Sequence, residues 1–244
     1  MIMLNDFFNK NTLNIFTDAS MNSYGNSGCA GSCFVFGEID KRFPLLNTQL
    51  HTRVIKKCTN NSAEVRAVAD AIYKAIPYMH NFSTIRIISD SQITIYGIRD
   101  RMMNWKISKK KGEEFGHFVG SQGTIKNQDI FLEIMYTIVE NNMSIEFLHQ
   151  AGHTSFSNPD ALIKSGEQFK KYNGIEDDLD IELLRSLAFF NNYVDRNTRD
   201  VLYTVDLLNY RSIYPFEYKI FEGYDRTTFA NLIHPQSIFN RGEN

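Results

Sequence analysis

Near Asn61 the spacing of apolar residues changes, and that change restricts the chain to folds that mix strands with helices. Leu13 to Thr17 alternates, is rich in apolar and β-branched residues, and runs into the polar Asp18-Ala19-Ser20, as a strand entering a loop does. Glycines at 25, 28 and 31 precede a second strand near Cys33–Phe36, and Leu50–Lys57 reads as a third, so the opening is an antiparallel meander. From Asn61 to Met79, apolar residues fall instead at 63, 67, 68, 71, 72, 75 and 76, the spacing of a helix with one buried stripe.

The pattern then alternates between the two kinds of element. Ile85–Ser89 is a short, almost wholly apolar run, expected for a central strand covered on both faces. Helical spacing resumes over Gln92–Met103 and Gln128–Glu140, and Ser144–Leu148 forms a further strand. Pro159, after Ser157 and Asn158 as candidate caps, suits the first turn of another helix. This order predicts an α/β layer fold whose sheet is part antiparallel and part parallel.

Four acids occupy telling places in that scheme. Asp18 and Asp90 stand where apolar strands end, Glu64 lies on the buried stripe of the 61–79 helix, and Asp160 falls in the first turn after Pro159. A carboxylate on a buried stripe costs free energy unless a partner or a metal compensates it. Acidic side chains from separate segments, gathered at the end of a sheet, make a hard-oxygen site suited to Mg²⁺ and to phosphoryl chemistry between paired metals. Each acid also has a plainer use, as a solvated group or, for Asp160, as a negative charge at a helix N-terminus.

The three cysteines, at 29, 33 and 58, have neither a paired count nor zinc-ligand spacing, which points to a reducing compartment. No run approaches membrane-spanning length and the N-terminal segment lacks a signal-like core, so a cytoplasmic or otherwise intracellular location is expected. The net charge of −2 hides an asymmetry: the first 170 residues hold 18 Lys and Arg against 16 Asp and Glu, and the remainder 8 against 12. With its four acids neutralised by metal the first part would present a basic surface, so total charge does not exclude nucleic acid.

IFTDAS around Asp18, TNNSAEVRAVADAI around Glu64, RIISDSQITIYGI around Asp90, the WK pair at 105–106 and AGHTSFSNPDALIKSG around Asp160 together resemble the type 1 ribonuclease H family over residues 12–169. The resemblance implies a five-stranded mixed sheet flanked by helices. It also implies endonucleolytic hydrolysis of the RNA strand of RNA–DNA hybrids to 5′-phosphate products, as in primer or hybrid removal during replication. Asp18, Glu64, Asp90 and Asp160 would hold two Mg²⁺, or Mn²⁺. Asn60 and Gln92, with Asn61 beside them, match side chains that recognise the ribose 2′-hydroxyl. Thr59, and Asn26 in the glycine loop, match contacts to a DNA phosphate, and Trp105, Lys106, Lys109, Lys110 and Lys111 resemble a basic protrusion on the substrate backbone. Asn60 and Asn61 are equally suited to starting the helix, and the lysine run to being a solvated loop.

Two positions depart from the family's pattern. Gln150 stands where a loop histidine is usual, leaving the neighbouring His149 and His153 as candidates for its catalytic role, and Ala19 replaces a glycine after the first acid. The resemblance implies a catalytic domain over residues 1–170. Residues 171–244 form an acidic, aromatic-rich and mainly helical extension, with helical patterns at Leu183–Phe190 and Val201–Leu208. A structural cap on the first domain is the simplest role for it, and a partner-binding or self-associating module the other. Competing readings of the whole are a nuclease of the same fold acting on other duplexes or DNA junctions, and a weak or inactive nucleic-acid-binding module.

Overall fold

The computed structural model describes residues 1–22, 27–108, 117–121 and 123–204. Asn26, Lys109, Lys110, Lys111 and the aromatic segment beyond residue 204 therefore lie outside the described residues. After a single helical turn, α1 (Leu4–Phe7), come β1 (Thr12–Asn22), β2 (Ser27–Phe36), β3 (Thr48–Ile55) and helix α2 (Asn60–Ala75). β4 (Thr84–Ser89) leads into α3 (Gln92–Tyr96), which continues as tighter and wider turns to Asn104. The short strands β5 (Lys106–Ser108), β6 (His117–Gly120) and β7 (Gly123–Thr124) follow. α4 (Gln128–Glu140), β8 (Ile145–His149), α5 (Pro159–Asn173) and α6 (Ile181–Thr204) complete the described chain.

The main sheet has the order β3-β2-β1-β4-β8. β1 pairs antiparallel with β2 and β2 with β3, whereas β1–β4 and β4–β8 are parallel. The parallel neighbours β1 and β4 need a crossover, which the connection through α2 completes, so their C-terminal ends emerge at the same end of the sheet. The small sheet β5-β6-β7 is antiparallel and was not anticipated from the sequence. Its strands are too short to show a period.

Alternation along the strands divides the core in two. Leu13 and Ile15 of β1 face the layer of α2 and α4, where they pack with Val68, Ile72, Phe131 and Ile138. Phe16 of β1, Cys33 and Val35 of β2 and Ile88 of β4 face the opposite way, onto Leu183, Leu187, Phe190 and Val194 of α6. The segment read as an extension thus supplies the cover for one face of the sheet. It does so as one continuous helix over 181–204, where the sequence pattern had suggested two separate helical stretches. The helix comes so near β2 that a Cβ on Gly31 would lie 2.4 Å from Thr198 Cγ2 and 3.2 Å from Val194 Cγ1. Glycine is required there for space, not for backbone conformation.

Among the described residues no helix is long and apolar enough to cross a membrane. At the far end of the sheet, Arg86 is fully buried, paired through Nε with Glu146 Oε2 at 2.7 Å and donating from Nη1 to the Phe7 carbonyl at 2.8 Å. These bonds fasten α1 to the strand ends opposite the acids.

Candidate active site

Asp18 belongs to β1 and lies opposite Gly31 of β2, Glu64 sits one turn into α2, and Asp90 directly follows β4. One carboxylate oxygen from each comes within 4.8 Å of the others. Asp18 and Glu64 are 4% and 8% exposed, and Asp18 Oδ2 and Glu64 Oε2 have no hydrogen-bond partner. Asp18 Oδ1 accepts from the Ala19 amide at 2.6 Å. Burial, reinforced by repulsion from Asp90 and Asp195, pushes Asp18 up to about 8, and burial with repulsion from Asp18, Asp90 and Asp195 pushes Glu64 up to about 10. Asp90 is raised as well, chiefly by burial. Three crowded carboxylates with orphaned oxygens are unfavourable as a protein structure by themselves, and a divalent cation is what that donor set fits.

The fourth acid of the sequence expectation lies apart from these three. Asp160 is exposed in the first turn of α5, where Asn158 caps the helix by accepting from the Asp160 and Ala161 amides, and it is not part of the three-acid group. Its place is the one that favours an acid next to a helix N-terminus. From α6, Asn191 reaches Asp90, and Asp195, which like Asp160 is outside the three-acid group, is near enough to act on it electrostatically. Asn191 Nδ2 donates to Asp90 Oδ2 at 3.5 Å, and Asp195 contributes to the repulsion felt by Asp18, Glu64 and Asp90. Both were missed in the sequence although the signal was there. They fall on the buried stripe of α6, polar residues among apolar ones, the same anomaly that singled out Glu64.

The loop after β8 is tied down around the acids. Gln150 is buried and donates from Nε2 to Ser165 Oγ of α5 at 3.1 Å, which makes it an anchor of the loop. His149 is also buried: its ring lies 4.8 Å from that of Tyr172 and 5.9 Å from that of Tyr96, and Nε2 is 3.0 Å from the Asp90 carbonyl. A carbonyl only accepts, so Nε2 carries the proton, and burial lowers the tendency of the ring to take a second. His153, with a positive φ of 52° and a side chain 75% exposed, places Nδ1 3.5 Å from Asp195 Oδ2. Of the two histidines, it is the exposed one.

An open groove of about 640 Å³ runs past Glu64 and Asp90, bounded by Asn60, Asn61 and Gln92 on one side and by Gln168 and Tyr172 of α5 on the other. The two α5 residues carry no sequence signal that would separate them from an ordinary helix face. Thr59 caps α2, its hydroxyl accepting from the Ser62 amide at 3.2 Å, so the helix-starting role considered for Asn60 and Asn61 belongs to Thr59. Thr59 also lines a second pocket, of about 350 Å³, with Lys57, Arg66 and Asn127. Trp105, expected on the substrate backbone, is 9% exposed and packs against Phe118 and Phe131 at 5.7 and 5.1 Å between ring centroids. An indole buries its large apolar area wherever the core admits it. Lys106 beside it is exposed.

The model of the RNase H family matches residues 10–167. The chain belongs to the RNase H family. Its members are nuclease hydrolases, and the mixed five-stranded sheet with flanking helices is the fold expected of them. Similar solved structures include LC11-RNase H1 in complex with an RNA/DNA hybrid, at 17% identity and a TM-score of 0.38, covering 56% of this chain and 83% of that one. LC9-RNase H1, described as a type 1 RNase H with the type 2 active-site motif, is 18% identical with a TM-score of 0.42 over 67% and 74% of the two chains. The RNase H1 of the halophilic archaeon Halobacterium salinarum is 16% identical with a TM-score of 0.37 over 57% and 87%. No curated protein matches the chain.

Proposed function

We propose that this RNase H family member is a metal-dependent endoribonuclease that hydrolyses the RNA strand of RNA–DNA hybrids, leaving 5′-phosphate ends. The observation that carries the reading is the convergence of Asp18, Glu64 and Asp90, with two buried carboxylate oxygens lacking any protein partner. Mg²⁺ or Mn²⁺ held there would activate water and stabilise the leaving 3′-oxygen. The chain's own residues set the rest. Asp18, the most buried of the three acids, would hold the metal together with Glu64 and Asp90.

Asn60, Asn61 and Gln92 offer amides along the groove beside Glu64 and Asp90, where a 2′-hydroxyl that both donates and accepts distinguishes ribose from deoxyribose. Lys57, Thr59 and Asn127 converge on the second pocket with cationic and hydroxyl chemistry suited to a phosphate of the DNA strand. Lys106, exposed next to the buried Trp105, adds a cation on the same chain segment as the lysine run. His153, exposed and next to Asp195, would be the proton carrier of the loop. Removal of RNA primers or hybrids inside a cell is the role that such an activity fits.

The test is a cleavage assay on labelled RNA–DNA hybrid, RNA duplex and DNA duplex in Mg²⁺ and in Mn²⁺. Cutting of the hybrid's RNA strand alone, lost in Asp90→Asn, is the expected result. Hybrid binding without cleavage in either metal would instead identify a nucleic-acid-binding module that has kept the fold.

A further inference from the structure

The turn that carries Asp90 is fastened by a side chain of the neighbouring strand. β4 and β8 run parallel and end together, Ser89 beside His149, and the His149 ring reaches the first residue beyond β4. Its Nε2–H donates to the Asp90 carbonyl at 3.0 Å. The ring is fixed in place, 3% exposed and packed against both Tyr96 and Tyr172. Its backbone is gripped by Asn173 of α5, whose Oδ1 accepts from the His149 amide at 2.9 Å and whose Nδ2 donates to the His149 carbonyl at 2.8 Å. Arg99 secures Asn173 in turn, donating to its Oδ1 at 3.2 Å and to the Tyr172 carbonyl at 3.0 Å.

What this ring costs shows what it is for. Its Nδ1 is buried without a partner. An orphaned buried acceptor is destabilising, and phenylalanine would fill the same space against two tyrosines without one. Packing alone therefore does not account for histidine, whereas the bond from Nε2 does. We infer that His149 is a positioning residue: through the Asp90 carbonyl it fixes the backbone from which the Asp90 carboxylate meets Asp18 and Glu64. The inference rests on the proposed reading of those three acids as a metal site. It sets His149 apart from the proton-carrying part considered for it, because the ring is closed off from solvent and its one donor serves the backbone.

Metal-free wild type, His149→Phe and His149→Gln are titrated with Mn²⁺ by calorimetry, melted in chelator, and assayed for kcat and KM on hybrid. The first variant keeps a ring and loses the donor; the second loses the ring and keeps an amide donor in reach of the carbonyl. His149→Phe is expected to bind Mn²⁺ about tenfold more weakly and to lose about tenfold in kcat, with KM and the metal-free melting temperature kept. His149→Gln should recover most of both losses, although it packs less well against the tyrosines. A purely structural histidine would give the reverse order. Wild-type Mn²⁺ affinity in His149→Phe, or His149→Gln as impaired as His149→Phe, would overturn the inference. If His149→Phe does not fold, His149→Gln decides alone: affinity near that of wild type sustains the inference, and a loss of about tenfold overturns it.

Hybrid cleavage is scored separately. A wild type that cuts hybrid while His149→Phe binds Mn²⁺ normally strikes this inference alone. Mn²⁺ binding that depends on the His149 donor in a protein that cuts no hybrid strikes only the proposed activity.

Discussion

Gly152 stands so close to Asp90 that a Cβ on it would lie 2.3 Å from Oδ2 and 3.1 Å from Cγ. Its φ is outside the left-handed region, so space is what demands glycine here. Gly152→Ala should push the Asp90 carboxylate off its position with little effect on the fold. A displacement near 1 Å at a reacting centre costs about a hundredfold in rate. Steady-state cleavage of a labelled hybrid beside a thermal melt checks this, and a variant with normal turnover would show that the loop yields instead of the acid.

Gln92 borders the groove next to Asp90 and is exposed to an incoming strand. Gln92→Ala removes one amide and should cost about 0.5–1.5 kcal/mol of hybrid binding. The expected reading is a KM raised about threefold to tenfold with kcat kept. If kcat falls while KM stays, Gln92 acts on the chemistry and not on recognition of ribose.

The acids give the metal-free protein an unusual response to pH. Asp18 and Glu64 stand at about 8 and about 10 in the folded chain, against ordinary values of 3.8 and 4.5. Through that interval the native state holds protons that the unfolded chain has given up, so stability falls as pH rises from about 4 toward 8. Mg²⁺ requires the ionised ligands and should therefore raise the melting temperature more at the alkaline end than at the acid end. Asp18→Asn should flatten the metal-free slope. Melts across this range in chelator and in Mg²⁺ measure both, and metal-free stability that rises with pH would contradict the prediction.

Phe190 joins α6 to the sheet, with ring centroids 5.2 Å from Phe16 and 5.9 Å from Phe8. Phe190→Ala should destabilise the protein by about 3–5 kcal/mol, measured by urea unfolding. A loss below about 1 kcal/mol would mean that α6 only rests on the sheet.

Much of this architecture was legible because periodicity reports burial. The alternation of β1, the apolar run of β4 and the stripe of α2 each marked its element, and the acids at their ends or on their buried side marked the site. What escaped has identifiable causes. β5, β6 and β7 are too short to show a period, and Trp105 was read through the lysines next to it, although a lone indole is better explained by core packing. Asp195 went unread because the helical pattern was taken to stop at Phe190; carried one turn further, the stripe would have exposed an acid as misplaced as Glu64.

Ile2 pairs with the segment just ahead of α6, its amide donating to the Asp178 carbonyl at 2.7 Å and its carbonyl accepting from the Asp180 amide at 3.0 Å. During synthesis the strands of the sheet leave the ribosome long before these partners do. One side of the sheet, with Phe7, Phe8 and Phe16, stays bare until α6 emerges, and the nascent protein must shield that surface or have it shielded. Acquisition of the native state is thereby deferred to nearly the last described residue, so an interrupted translation product would accumulate as aggregate or be degraded.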